Sequence, residues 1–188
     1  MHTRPVASAF ASSEIGRRGF LTAGAGAALA IARLTEPVEA AAAAKSGWRY
    51  CPKCRGLFAG KGTESVGVCP AGGSHKPLKG YTYLLLSGLS VTNPQLFKNW
   101  FQCKKCRGLF ADDLGETGVC PKGGAHVGTG PAYDLWFGTS LPFMEADWHE
   151  CLKCSGLYWP GPSSINGVCP AGGVHQPRGE NYTLILLK

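Results

Sequence analysis

The chain has 188 residues, 44% of them hydrophobic and 16% charged, and its 19 basic and 12 acidic residues give a formal net charge of +7. Its apolar runs are all shorter than the roughly 20 residues that a membrane-spanning helix needs, which excludes a helical membrane protein. The basic residues are scattered along the chain, so the charge does not require a nucleic-acid partner.

The first 40 residues resemble a twin-arginine export signal. The pair Arg17-Arg18 precedes a weakly apolar, Gly/Ala-rich run of 13 residues, 20–32. That run is too short to anchor the chain in a membrane and has the length of a signal h-region. Residues 38–40 then offer a small-x-small cleavage site. An amphipathic N-terminal helix of the mature fold is the alternative, although so many glycines pack poorly in a helix.

The resemblance implies that the twin-arginine translocase exports residues 41–188 already folded, to the periplasm or the exterior, with no membrane anchor after cleavage. Four basic and three acidic residues lie in 1–40, so the mature chain carries a net charge of +6. Its cysteines would meet a ligand in the reducing cytoplasm, where thiols are not oxidised.

Three copies of one pattern fill the mature chain. Each copy reads W-x2-C-x-K-C-x-G-L-[FY], then a loop, then G-V-C-P-x-G-G-x-H, and ends with Tyr and an apolar run. The leading tryptophans, Trp48, Trp100 and Trp148, lie 52 and 48 residues apart. Self-similarity at a fixed period indicates a repeat architecture, and the mature length fits a single domain. The expected domain is 41–188, with repeats at about 46–90, 98–140 and 146–188.

The cysteines and histidines of each repeat have the spacing of a metal site. All nine cysteines fall in the pattern, three per repeat, and each repeat has one histidine at the same place. Three thiolates and one imidazole complete the closed tetrahedron that structural zinc prefers, so we expect about three zinc ions. The G-G pair before each histidine lets the chain turn tightly, with positive φ where required. The predicted ligands are Cys51, Cys54, Cys69 and His75; Cys103, Cys106, Cys120 and His126; and Cys151, Cys154, Cys169 and His175.

Two other chemistries are open to these residues. An exported, cysteine-rich chain often forms disulfides. Three cysteines per repeat would then leave thiols unpaired, and the recurring histidine would have no role. Iron also accepts sulfur-rich ligands, although zinc is the usual metal for this ligand set.

No catalytic or cofactor-binding residue is predicted, and we expect no enzymatic activity. A catalytic zinc keeps three protein ligands and an open position, whereas each repeat offers four. Glu64 and Glu116 lie in the middle loops, but the third repeat has Ser164 or Ile165 there, so no acid recurs. The sequence contains no phosphate-binding loop motif, no nucleophile-elbow motif and no dinucleotide-binding motif. His149 has no counterpart in the other repeats and is interpreted as a surface residue.

Short strands separated by turns predict an all-β fold. Each repeat offers about four strands: around the leading Trp, at G-L-[FY], at G-V-C and in the final apolar run. Three such repeats with a period of about 50 residues resemble a β-trefoil, a six-stranded barrel closed by three hairpins with pseudo-threefold symmetry. Each repeat would contribute one zinc-ribbon-like clamp. Three tandem zinc-ribbon-like modules are the alternative, although so short a unit is only marginally stable alone.

The repeat pattern also resembles cysteine-rich repeats of secreted bacterial and fungal proteins, most of which have no assigned function. The resemblance covers residues 48–188 and implies an exported, zinc-stabilised structural or binding protein. By analogy with trefoil-like proteins, we expect a monomer that binds a carbohydrate or another cell-envelope ligand, and no nucleic acid. Tyr81, Tyr133 and Tyr182 could stack on a sugar ring, but core packing is favoured for each. A secreted metal-dependent hydrolase, an accessory domain of one, and a metal buffer are the alternatives.

Replacing Arg17 and Arg18 with lysines is expected to leave metal-loaded protein in the cytoplasm, because the arginine pair is the feature that the export receptor reads. A matched variant carries a general secretory signal instead, and it should be exported unfolded, poor in metal and cross-linked through its thiols. Cell fractionation with metal analysis measures both outcomes. A fully metallated protein exported by the general route would show that the sites assemble outside the cell.

Overall fold

A computed structural model describes residues 42–61, 66–90, 94–138 and 141–188. The predicted export signal lies outside the described residues. Within them every regular element is a strand, which confirms the all-β prediction, and no helix is long and apolar enough to cross a membrane. The strands are β1 (Ala43–Tyr50), β2 (Leu57–Ala59), β3 (Thr82–Ser87), β4 (Leu96–Cys103), β5 (Leu109–Ala111), β6 (Gly128–Phe137), β7 (Met144–Cys151), β8 (Leu157–Tyr158) and β9 (Pro177–Leu187).

Each repeat contributes a long first strand, a short second strand and a long last strand. The G-V-C segment, which we predicted as a fourth strand, is irregular in all three repeats. Its backbone serves the cysteine turn instead: the N–H of Cys69 donates to the carbonyl of Gly73 at 2.8 Å, and the other two repeats have the same bond. The prediction of four strands was therefore wrong, because a cysteine held in a tight turn cannot also pair in a ladder.

The strands form one nearly closed antiparallel barrel. Each repeat's first strand pairs with its own short strand and its own last strand. The last strands, β3, β6 and β9, also pair with one another, through Leu86↔Asp134, Trp136↔Thr183 and Leu84↔Ile185. Because this triangle joins all three repeats, they share one sheet.

The core is a ring of aromatic pairs between repeats. The three leading tryptophans are fully buried. Each lies edge-on against a tyrosine of another repeat, with ring centroids 5.0–5.2 Å apart, which is a favourable aromatic geometry. The pairs are Trp48 with Tyr133, Trp100 with Tyr182, and Trp148 with Tyr83. The favoured core role is confirmed for Tyr133 and Tyr182, which are buried, while Tyr81 packs half-buried against the same core.

The short strands also join the three repeats, in addition to the pairing of the last strands. Residues of β2, β5 and β8 form single bridges to the glycine that precedes the short strand of another repeat: Phe58↔Gly108, Phe110↔Gly156 and Tyr158↔Gly56. Each bridge is followed by a backbone hydrogen bond of 2.9 Å, for example from the N–H of Ala59 to the carbonyl of Arg107. The three G-L-[FY] segments therefore meet directly, and this meeting places the three cysteine pairs around one centre.

The glycine of each G-V-C segment lies against the C-x2-C turn of another repeat. At Gly118, which has φ of 58°, a Cβ would overlap the backbone carbonyl of Cys154. Gly67 has the same relation to Cys106, and Gly167 to Cys54. Only glycine fits at these positions, because the approach is too close for a side chain and φ is positive.

Gly118→Ala is expected to lower the free energy of unfolding by about 3 kcal/mol or more, since the new methyl group overlaps a backbone carbonyl that cannot move freely. Gly123→Ala is the matched control. It also has positive φ, of 97°, but its Cβ would meet nothing within 4 Å, so it should cost only about 1–2 kcal/mol. Urea unfolding at a fixed free zinc concentration measures both values. Equal losses in the two variants would contradict the close contact between repeats.

Candidate metal centres

The structure brings the twelve predicted ligands together in three groups of four. Every member is buried, and within each group the candidate ligand atoms lie within 4.8 Å of one another. The nine cysteines are all free thiols. Each group joins the C-x2-C turn of a repeat to the G-V-C-P-x-G-G-x-H segment of the same repeat, as the spacing predicts.

The C-x2-C pair of each repeat lies on a tight turn that follows the first strand. The carbonyl of Cys51 accepts from the N–H of Arg55 at 2.7 Å, and the N–H of Cys51 donates to the carbonyl of Gly56 at 3.0 Å. The turn requires positive φ at its last residue, which is 67° at Arg55, 70° at Arg107 and 55° at Ser155. Both sulfurs of the pair are thereby directed to one side of the turn.

The second pair of ligands is held by the glycine turn. In the first repeat φ is 92° at Gly72 and 64° at Gly73, and the corresponding pairs in the other repeats are also positive. This confirms the predicted role of these glycines. The N–H of Gly72 donates to the carbonyl of Cys69 at 3.0 Å, which closes the turn and brings His75 back beside the cysteine.

The separations within each group match a tetrahedral metal site. The first and third cysteine sulfurs are 3.9, 3.9 and 3.8 Å apart in the three repeats. The second cysteine sulfur and the histidine Nδ1 are 3.4, 3.6 and 3.5 Å apart. A tetrahedral zinc ion with Zn–S near 2.3 Å and Zn–N near 2.0–2.1 Å places two sulfurs about 3.8 Å apart and sulfur and nitrogen about 3.5 Å apart. Bonded sulfurs would lie at about 2.0 Å, so this arrangement is that of a metal site and not of a disulfide.

An aromatic ring orients each histidine. His75 stacks on Phe58, His126 on Phe110 and His175 on Tyr158, with centroids 4.8, 4.7 and 4.6 Å apart and interplanar angles of 12–15°. The ring comes from the [FY] of the G-L-[FY] segment. This position was predicted as a strand residue. Its contact with the histidine is seen only in the structure. Stacking fixes the imidazole plane so that Nδ1 faces the sulfurs.

A lysine supports each glycine turn. The Nζ atoms of Lys53, Lys105 and Lys153 donate to the carbonyls of Gly72, Gly123 and Gly172, each at 2.5 Å. These lysines are the K of C-x-K-C; the sequence shows that they recur but not which group they contact. Three thiolates around a divalent ion carry one net negative charge, so an ammonium group beside each centre is also electrostatically favourable.

The thiols of one group differ in pKa because they share hydrogen bonds. A hydrogen bond from the second cysteine of each C-x2-C pair lowers the pKa of the first, which is Cys51, Cys103 or Cys151. The same contact raises the pKa of the second cysteine: Cys54, Cys106 and Cys154. Without metal, the thiolate of the first cysteine is therefore stabilised by the second cysteine, which keeps its proton. A bound metal would have to displace that proton, because cysteine ligates as the thiolate.

No carboxylate belongs to any of the three groups. Glu116, the acid in the second repeat's middle loop, lies 3.7 Å from the guanidinium of Arg178, and Glu64 lies outside the described residues. Four protein ligands fill a tetrahedral ion, so these groups have the composition of closed structural sites. No protein-family model, curated protein or solved structure matches the chain.

Cys120→Ser is expected to lower the metal content from three ions to two and to destabilise all three repeats together, because they share one core and one cycle of backbone bonds. Val119→Ser is the matched control: it alters the preceding side chain, which is 37% exposed, and should keep all three metals. Native mass spectrometry gives the metal count, and hydrogen exchange resolved by repeat gives the protection. Unchanged protection in the first and third repeats of Cys120→Ser would show that the repeats unfold independently.

Proposed function

We propose that each Cys3His group binds one zinc ion and that the protein is an exported binding protein whose fold the zinc stabilises. The observation that carries the proposal is the threefold recurrence of one buried ligand set with tetrahedral separations. Zinc is favoured over iron because a Cys3His set in a closed tetrahedron is a common structural zinc site. Disulfides are disfavoured by the separations and by the histidine that completes each group.

A structural role for the metal is supported by its surroundings. The ligands are buried, aromatic rings cover the histidines, and every clamp is braced by another repeat. Binding at one structural zinc site supplies roughly 10–16 kcal/mol of apparent folding free energy at neutral pH. A whole domain is typically stable by only about 5–15 kcal/mol. Three such sites would therefore dominate the stability, and the metal-free chain should be largely unfolded.

The proposed architecture is a β-trefoil-like barrel with pseudo-threefold symmetry. Three features support it: the triangle of last strands, the cycle of short-strand bridges and the cycle of Trp–Tyr pairs. Each feature relates every repeat to the other two in the same sense. A rotation of about 120° about a central axis would produce such relations.

Export in the folded state fits the chemistry of these sites. Loading zinc in the reducing cytoplasm would protect nine thiols before they reach an oxidising compartment. Outside the membrane, a rigid scaffold of this kind is suited to presenting loops to a carbohydrate or another component of the cell envelope, as a monomer.

Native mass spectrometry of the exported protein is expected to show three zinc ions and nine reduced cysteines. Deprotonating nine thiols and adding three divalent ions changes the net charge of the mature chain from +6 to about +3. Removing the zinc with a chelator should abolish the near-ultraviolet circular dichroism of the buried tryptophans, and adding zinc back should restore it. A metal-free protein whose mass is lower by two hydrogens per disulfide would refute the zinc proposal.

A further inference from the structure

We propose that a cavity found in the third repeat binds one residue of a neutral saccharide. This inference rests on the proposed function and gives it a location. The cavity has a volume of about 410 Å³ and is lined by Asp147, His149, Trp159, Ser164 and the loop between the last two. Ligand sites are typically about 300–1,000 Å³, so the cavity is large enough for a pyranose ring.

The residues that build this cavity do not recur. Alignment of the repeats places Ala59 and Ala111 at the position of Trp159, and both alanines are buried. Arg49 and Phe101 occupy the position of His149, and Gly47 and Asn99 that of Asp147. The three metal clamps need none of these differences. The third repeat therefore carries an aromatic ring, an imidazole and a carboxylate beside one another, where the other repeats have none of this combination.

A proline opens the cavity. In the first repeat the N–H of Gly60 donates to the carbonyl of Gly47 at 2.9 Å, and in the second the N–H of Asp112 donates to that of Asn99 at 3.0 Å. These bonds tie the end of the short strand to the bulge in the first strand. The third repeat has Pro160 at the donor position, and proline has no N–H to donate. The following loop is thereby released from the first strand, and the space between them is the cavity.

The loop is nevertheless held in place. The Nη2 of Arg55 donates to the hydroxyl of Ser163 at 3.3 Å, and the N–H of Ser164 donates to the carbonyl of Gly161 at 3.0 Å. Gly161 has φ of 68°, and a Cβ there would lie 3.2 Å from a guanidinium nitrogen of Arg55. Pro160 and Pro162 restrict the loop further. A site organised before binding loses less conformational entropy when the ligand binds.

One wall of the cavity is aromatic. Trp159 is half-buried, and its indole rests on a cluster formed by Trp148, Tyr50 and Tyr81, with centroids 6.2, 5.4 and 5.9 Å away. Rings on several sides hold the indole in one orientation. A rigid, part-exposed indole can cover the C–H face of a sugar ring.

The other walls offer hydrogen-bonding groups. The carboxylate of Asp147 is exposed, and its Oδ1 accepts from the side-chain amide of Asn181 at 3.3 Å, which leaves Oδ2 for a ligand. The Nδ1 of His149 is buried and has no hydrogen-bond partner among the described residues. The hydroxyl of Ser164 lies on the loop side. One apolar face opposed by acceptors and donors is complementary to a pyranose, which has a C–H face and a rim of hydroxyls. The carboxylate disfavours acidic sugars.

The test is a titration of the full, zinc-loaded chain with tetrasaccharides of β-1,4-linked glucose, mannose and N-acetylglucosamine, followed by calorimetry and by the indole N–H signals in NMR spectra. We expect at least one of them to bind and to shift the Trp159 signal. Trp159→Ala and Asp147→Asn should each weaken binding about tenfold or more, which corresponds to about 1.4 kcal/mol. Both variants install residues that other repeats carry at the same positions, so both should fold.

Phe143→Ala is the control, because it removes an aromatic ring that is 53% exposed and lies outside the cavity; its affinity should not change. The zinc content of every sample is measured alongside, so a failure of the metal proposal is seen separately. Three bound zinc ions with no saccharide binding would overturn the inference and leave the metal proposal standing. Binding that survives in Trp159→Ala would place the saccharide elsewhere. Binding of tetramethylammonium in preference to the saccharides would assign the cavity to a cation instead.

Discussion

Gathering three sulfurs and one nitrogen within 4.8 Å is the constraint on which the rest of this structure depends. In this chain the tetrahedral set comes from two tight turns, the C-x2-C turn and the glycine turn, each closed by backbone hydrogen bonds. The turns in turn require positive φ at particular residues, and the glycines and the last residue of each C-x2-C turn supply it. Most of the sequence that recurs between repeats is accounted for by these requirements.

The metal groups and the barrel are not separate features. Gly118 fits only because the C-x2-C turn of the third repeat lies against it, and the same relation holds for its two counterparts. The [FY] residue that pairs between short strands also stacks on the histidine of its own repeat. A displacement in one clamp is therefore transmitted to the bridges between repeats and to the clamps beside them. Short repeats, each too small for a stable core of its own, thereby share one core and one set of backbone bonds.

Much of this arrangement could be predicted from the sequence because its causes are local. The ligand spacing, the glycine turns and the period of the leading tryptophans are all visible as patterns in the chain. The predicted G-V-C strand was wrong. An apolar residue beside a cysteine has the pattern of a strand, but that pattern does not show that the N–H of the cysteine donates to a carbonyl within the glycine turn. Lys53 donates to the carbonyl of Gly72, and Phe58 stacks on His75. These contacts depend on which groups lie nearby in three dimensions, so the sequence could not predict them. The recurrence of the two residues was the available signal.

The residues that differ between the repeats point to a different role from those that recur. Trp159 stands where the other repeats have a buried alanine, so it cannot serve the shared packing in the same way; it rests instead on Tyr50 and Tyr81 of the first repeat. These ring contacts have no counterpart in the other repeats, and neither does the proline that replaces the hydrogen-bond donor at 160. The third repeat can therefore open its loop without loosening its clamp, because the hydrogen bonds of the C-x2-C turn lie on the other side of β8 in sequence and are intact. On the proposed function, three equivalent metal centres would stabilise the scaffold, and a single repeat could then diverge towards recognition without loss of that stability.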